Sequence, residues 1–318
     1  HAIMKNFYQT AVDSLIQNPT VAEWPTLANV LQRAALRAPI AWQLPVLSCQ
    51  AVGGQGQAAM PAVRAFTCIH ISILLVDDML DEDPRGEHLQ IGIGPAANLA
   101  LALSALASQV LLEDQDQIRA QTALAALTRM QFELSRGQDL DAQNPGTEEA
   151  YWQIAHAKSG VYFGAALYLG ALYGGADPPI CNQLDAFGQI YGEIMQIHND
   201  LNDSLEENPG PDWLQQRYSL PILFACVVEH PDLARFLELR AAIQSPGALQ
   251  EAQAILVRCG AISYSVNELV KRAAQARALL ESIPLAERAD LAKLLDETIE
   301  PVEKLFEKVG AEFSTEAF

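Results

Sequence analysis

Two clusters of oxygen-bearing side chains lie far apart in this chain, and each ends an apolar stretch. In the first, Asp77, Asp78, Asp81, Glu82 and Asp83 put five acids into seven positions, directly after the apolar run 71–76. In the second, "EIMQIHNDLNDSLEEN" (193–208), Asn199 and Asp203 are four residues apart and Glu207 lies a further turn on. On a helix, residues i and i+4 are neighbours with Cβ atoms about 5–6 Å apart. Asp77 and Asp81 therefore face the same way, as do Asn199 and Asp203. Two carboxylates at that spacing repel unless a cation joins them. Hard oxygen donors that share space with a phosphate suit Mg²⁺, which keeps some waters and takes a few carboxylates plus substrate oxygens. Two such helix ends facing each other would clamp a metal-bound diphosphate from both sides.

The elements that must carry these groups read as helices. Residues 66–76 (FTCIHISILLV) are apolar around the whole circumference, which marks a helix surrounded by other helices. Acids at a helix C-terminus have the wrong sign for the helix dipole, so the acidic cluster needs a reason to be there. Phe187, Ile190, Tyr191, Ile194, Ile197 and Leu201 recur at three and four, and 118–136 and 263–281 show the same period. Breaks are expected at Pro39/Pro45, Gly53-Gly54, Pro84/Gly86, Pro145-Gly146, Pro178-Pro179, Pro209-Gly210-Pro211, Pro231 and Pro246. The pattern predicts an all-α bundle of roughly ten or more helices, in a single domain over residues 4–318. His1-Ala2-Ile3 before Met4 reads as a leftover of expression.

Composition narrows the function. With 20 basic and 39 acidic residues the net charge is −19. No basic stripe exists to neutralise nucleic-acid phosphates or to bind an anionic membrane surface. Five scattered cysteines without CxxC spacing suggest neither a disulfide framework nor a zinc site, and point to a reducing cytoplasm. The uncharged stretches 96–112 and 159–176 carry polar residues and glycines respectively, so buried helices are expected there rather than membrane spans.

The residues carry a family resemblance over nearly the whole chain. Asp77-Asp78-Met79-Leu80-Asp81, preceded by His70, resembles the first aspartate-rich motif of the trans-prenyl diphosphate synthases. Gly137-Gln138-Asp139-Leu140-Asp141 resembles their GQxLDL segment, and Lys158-Ser159-Gly160 their K-T-G segment. Gln196 to Asp203 stands where QIxDDxxD belongs, and Arg217-Tyr218-Ser219-Leu220-Pro221 resembles KxTLP.

The resemblance implies the isoprenoid synthase fold, a helical bundle around a deep apolar cavity, and an allylic prenyl diphosphate substrate. It implies several Mg²⁺ ions held by Asp77, Asp81, Asn199 and Asp203. Lys158, Arg217, Arg85 and Gln196 become candidate diphosphate contacts, with Asp77, Asp81 and Lys158 central to catalysis. Metals and nearby cations would stabilise the departing diphosphate. The allylic cation left behind would lie in a dry pocket where aromatic faces can stabilise it. Phe66, Phe132, Phe163 and Tyr191 are the candidate faces, with Gln138 also at the cavity. In the family, bulky aromatics just upstream of the first motif close the cavity floor. Here Ser72 and Ile73 stand there, so a substrate of about twenty carbons or longer is expected. The family also implies a homodimer.

The departures are as informative. Chain-elongating members bind isopentenyl diphosphate through G-G-K-R-x-R-P, but residues 39–45 here read PIAWQLP. Ala41, Trp42 and Leu44 replace basic residues, and desolvating a diphosphate against them would be costly. The paired arginines after the first motif are reduced to Arg85 with a shortened spacer. Arg217 keeps charge where the family has Lys, with a different fork geometry. Asn199 replaces an Asp and, read with Glu207, gives a segment close to the NDxxSxxxE motif of class I terpene cyclases, with Asp203 in the serine's place. These changes favour an enzyme that ionises an allylic diphosphate and then cyclises or quenches the cation. Two alternatives stand beside it: prenyl transfer, by elongation or to another acceptor, and a non-catalytic partner subunit of a heteromeric synthase. His70 and His198 read as satisfied helix histidines, since a hard-oxygen site needs neither. Gly53-Gly54-Gln55-Gly56 reads as a turn and not a phosphate loop.

Overall fold

A computed structural model describes residues 2–37, 40–83 and 85–309. Two of the expected breaks, at Pro39 and Pro84, lie outside the described residues. The described residues form helices and no strand, so the fold is all-α as expected. The helices of eight residues or more are α1 (Ala2–Ile16), α2 (Pro25–Arg37), α3 (Leu44–Ala51), α4 (Met60–Leu80), α5 (Ile93–Leu112), α6 (Gln117–Ala142) and α7 (Glu148–Ala155). After them come α8 (Val161–Tyr173), α9 (Pro178–Ser204), α10 (Leu220–Val227), α11 (Leu233–Ala241), α12 (Ala248–Arg258), α13 (Ala261–Ser282) and α14 (Ala289–Val309).

Local chemistry sets the starts. Asp116 accepts from the backbone of Ile118 and Arg119 at the head of α6. Thr147 caps α7, and Asp177 caps α9 with prolines following at its first turn. Such caps contribute about 1 kcal/mol each by satisfying N–H groups that have no partner within the helix.

The helices that carry the site are held together by apolar side chains and by glycine. Phe187, Tyr191, Ile194 and Ile197 of α9 are fully buried, so the three-and-four spacing does mark a core face. Burying each such side chain contributes roughly 1.5–3 kcal/mol. Glycine brings α8 against α9: a Cβ on Gly188 would sit 2.6 Å from Phe163 O, and one on Gly192 2.5 Å from Ser159 O. Within 159–176, Gly164 and Gly170 also serve helix contact: a Cβ would sit 2.9 Å from Asp185 O and 2.2 Å from Pro45 O respectively. Gly53-Gly54 form the turn after α3, with Gly53 at φ +91°.

α4 and α5 pack side by side, and residues 56–80 and 93–112 are apolar and long enough to cross a membrane by composition alone. Both lie within the bundle. Phe66, Ile69 and Ile71 of α4 and Leu99, Leu103 and Leu106 of α5 are buried there. From Ile69 onward one face of α4 opens onto a cavity, so this helix is not enclosed all round as its composition suggests.

Candidate active site

α4 delivers Asp77 on its last turn and Asp81 at its C-cap, where Glu82 takes a left-handed φ of +50° and ends the helix. α9 delivers Asn199 and Asp203 just before it ends at Ser204. All four line one pocket of about 310 Å³, so the two distant clusters do converge. α6 adds Gln138 and Asp141, and the turn after the short helix Pro211–Leu214 adds Arg217.

Lys158 arrives by a different device. Between α7 and α8 the chain makes a π-turn over His156–Gly160, which inserts a residue and re-aims the side chains around it. Gly137 of α6 lets this turn approach, since a Cβ there would meet Ala157 Cβ at 2.6 Å. Lys158 Nζ then lies 2.6 Å from Asp141 Oδ2 and 3.6 Å from Asp77 Oδ1. Arg217 ion-pairs with Asp81 and lies 3.6 Å from Asp141. Gln138 donates to Asp77 Oδ1 at 2.8 Å.

The electrostatics are dominated by acid. Among the described residues, six aspartates (Asp77, Asp81, Asp141, Asp200, Asp203 and Asp212) line the pocket against two cations, Lys158 and Arg217. Burial, then repulsion from Asp77, pushes the Asp81 carboxyl up to about 6 despite Arg217. Burial and repulsion from Asp203 raise Asp212 to about 6, and burial with repulsion from Asp212 raises Asp200 to about 7. Burial works against the Lys158 ammonium, but Asp77 and Asp141 outweigh it and hold its pKa above the usual value.

Asp200 is a structural carboxylate. It accepts from Tyr151 OH at 2.7 Å, Leu220 N at 2.8 Å and Gln196 Nε2 at 2.9 Å, tying α7 and α10 to α9. Gln196 also accepts from Ser159 Oγ, so both ends of its amide are engaged at the pocket wall.

Beneath the acids lies a second cavity of about 680 Å³ between α4, α5 and α6. Ile73, Asp77, Leu134 and Gln138 line both spaces, so the polar pocket opens directly onto the apolar one. Ser72, Ile73 and Gln138 line this cavity.

The four aromatic candidates are not. Phe66 packs on Tyr162, Phe163 lies edge-on to Tyr162 and Tyr191, and Tyr191 is buried and hydrogen-bonds Thr298. Phe132 is 72% exposed. Among the described residues no aromatic side chain lines the cavity, because helical phase turns these rings onto other faces.

Two further expectations are corrected. Glu207 lies past the end of α9, exposed and outside the pocket lining, because the helix stops at Ser204 before another turn can carry it inward. Arg85 is 80% exposed and folds back onto Asp83 at 2.9 Å, since its short spacer leaves that acid as its nearest partner. His70 bonds Tyr162 OH at 3.0 Å and His198 bonds Asn202, in keeping with satisfied histidines. Asp212 and Tyr151 had no local sequence signal, because only the chain's return over the site places them there.

Residues 42–257 match the profile of the family described as "Polyprenyl synthetase". The chain belongs to the polyprenyl synthetase family. It is an isoprenoid-biosynthesis enzyme of the prenyltransferase type. Among polyprenyl synthetases, it is 30% identical over 282 residues to the nonaprenyl diphosphate synthase of Mycobacterium tuberculosis, covering 80% of each chain. It is 25% identical over 241 residues to the geranylgeranyl diphosphate synthase of Methanosarcina mazei, covering 70% of this chain and 72% of that one. Its fold matches the polyprenyl synthase of Caulobacter crescentus, solved with calcium and isoprenyl diphosphate, at TM-score 0.80 and 24% identity over 94% of each chain. These polyprenyl synthetase relatives favour prenyl transfer over the cyclisation expected above.

Proposed function

We propose that this polyprenyl synthetase ionises an allylic prenyl diphosphate with Mg²⁺ and transfers the prenyl group to an acceptor, building a longer polyprenyl diphosphate. The observation that carries this is the acid excess of the pocket directly above an apolar cavity. An anionic diphosphate would be repelled there unless divalent ions came between.

The donors fit such ions. Asp81 Oδ1 is buried against the Arg217 guanidinium, yet burial and repulsion from Asp77 still raise its carboxyl, so the site lacks positive charge. Among the described residues no three acid, histidine or cysteine side chains already converge on one metal position. Diphosphate and water oxygens would have to complete the coordination, as suits Mg²⁺. Bound ions would supply positive charge against the departing diphosphate. Asp77, Asp81, Asn199 and Asp203 would hold them, Lys158 and Arg217 would take leaving-group oxygens, and Gln138 would orient Asp77. The apolar cavity would hold the tail and exclude water from the allylic cation.

The lack of an aromatic face in that cavity also supports transfer over cyclisation, since a cation passing through several rearrangements needs sustained stabilisation. A second reading, transfer to an acceptor without a diphosphate, is favoured by one observation: Ala41, Trp42 and Leu44 are buried in the core and offer no cation. We further read the chain as one domain and as a cytoplasmic homodimer. Leu101, Ile118 and Phe132, exposed on α5 and α6, support a second copy as partner.

Incubation with Mg²⁺ and each allylic diphosphate, with and without isopentenyl diphosphate, tests the proposal. Longer diphosphates formed only with isopentenyl diphosphate are expected. Hydrocarbon or alcohol from the allylic substrate alone would restore cyclisation, and no metal-dependent diphosphate release would leave a partner subunit.

A further inference from the structure

Arg240, near the end of α11, is 5% exposed; its Nε is buried without a hydrogen bond, and among the described residues its other nitrogens bond no acid. An unpaired buried charge is costly, so its surroundings must supply the compensation. They do so for its terminal nitrogens, chiefly through the turn that carries Arg217. Arg240 NH2 donates to Gln216 O and, at 2.9 Å, to Arg217 O. Its NH1 lies 3.4 Å from Cys226 Sγ, and the guanidinium stacks 4.3 Å from the Tyr218 ring centre. Gln216 returns a bond to Arg240 O at 2.6 Å. Asn144 of the turn after α6 donates to the same Gln216 O at 2.8 Å.

The turn needs this support. Gln216 has a φ of +58°, a region that side chains other than glycine disfavour. Two consecutive carbonyls, of residues 216 and 217, are aimed at one guanidinium, and that fixes the direction in which Arg217 leaves the backbone. On the other side of the turn, Arg217 meets Asp81 and Asp141. One terminal nitrogen serves both carbonyls while the rest of the planar group reaches Cys226 and stacks on Tyr218, a combination that a point-charge ammonium cannot reproduce.

We propose that Arg240 is a positioning residue for the diphosphate site. It locks the 216–218 turn so that the Arg217 guanidinium is preorganised over the pocket. This rests on the reading of Arg217 as a diphosphate contact.

The test is a double-mutant cycle on pyrophosphate binding, measured by calorimetry with inorganic pyrophosphate and saturating Mg²⁺ on the full chain. Arg240→Met is expected to weaken binding tenfold or more. In an Arg217→Ala background the same change should weaken it less than twofold, because the effect passes through Arg217. A purely structural role would cost the same factor in both backgrounds. That result, or a folded Arg240→Met protein binding within twofold of the parent, overturns the proposal. Should Arg240→Met not fold, Arg240→Lys enters the same cycle, with a loss of threefold or more confined to the Arg217-containing background expected, and anything else overturning it. A parent protein that binds no Mg²⁺-pyrophosphate would instead remove the functional reading beneath it.

Discussion

Lys158 and Asp141 are 17 residues apart in sequence and 2.6 Å apart in space, joined because the π-turn at His156–Gly160 aims the lysine across the pocket at α6. The same ammonium reaches toward Asp77 on α4, so one cation bridges two acid-bearing helices. Lys158→Met is expected to lower kcat/KM for the allylic diphosphate about 100-fold, the scale of losing one preorganised donor to developing charge. Steady-state kinetics with Mg²⁺ held constant measure it, and a change under threefold would remove Lys158 from the site.

Asp81 stands in the pocket one helical turn from Asp77 and is ion-paired with Arg217. Asp81→Ala should reduce diphosphate release by about 100-fold or more. Chelating divalent ions with EDTA should abolish release in the parent, and added Mg²⁺ should restore it. Turnover that survives either treatment would end the metal-clamp account.

Gly137 gives a stability prediction. A Cβ there would lie 2.6 Å from Ala157 Cβ and 3.1 Å from Ala157 C, so α6 and the π-turn would have to separate. Gly137→Ala is expected to destabilise the protein by about 1–3 kcal/mol, the usual range for overpacking. It should also weaken Mg²⁺-pyrophosphate binding, because Lys158 moves with the turn. Urea unfolding and calorimetry read the two effects, and unchanged stability would refute the close contact.

Asp212 supplies a pH test. Its folded pKa, about 6, stands above the ordinary value of 3.8, because burial and Asp203 disfavour the charge. A raised carboxyl binds its proton more tightly in the folded state. Its contribution is therefore complete below pH 3.8 and is lost as pH rises through about 6. Asp212→Asn should stabilise the metal-free protein at pH 7.5 by on the order of 1–2 kcal/mol and leave it unchanged near pH 3.5. Thermal melts in EDTA at the two pH values decide it, and equal effects at both would contradict the assignment.

The cavity makes a prediction about length. Ile69, Ser104 and Gln131 are the lining residues farthest from Asp77 on their helices, and Gln131 Nε2 donates to Ser104 Oγ at 2.7 Å. From Asp77 to Ile69 the helix runs about 12 Å. Ser104→Phe should shorten the longest product by at least one isoprene unit, seen by mass spectrometry. An unchanged product distribution would show that the tail does not reach this layer.

Much of this site is legible in the chain itself. The i, i+4 pairs Asp77/Asp81 and Asn199/Asp203 follow from helical geometry; the first ends a stretch apolar all round, the second a helix whose apolar face shows as a three-and-four repeat. Lys158 and Arg217 were found through motif resemblance, and both stand in the pocket. What failed depended on helical phase and helix end points. Phe132 lies on the outer face of α6 although its neighbour Gln131 lines the cavity, a difference of one residue and so about 100° around the axis. Glu207 continues a helical spacing that the helix itself does not continue.

The sequence by itself determined the helical class, the two acidic helix ends and the apolar character of what lies behind them, because these depend on residue type at local spacing. Only the tertiary structure decided which side chains share a space. It brought Asp212, Tyr151 and Asp200 into one network, turned Arg85 away, and set Arg240 behind Arg217. Those outcomes depend on packing between segments remote in the chain, such as the glycine contacts of α8 with α9, whose geometry no local pattern encodes.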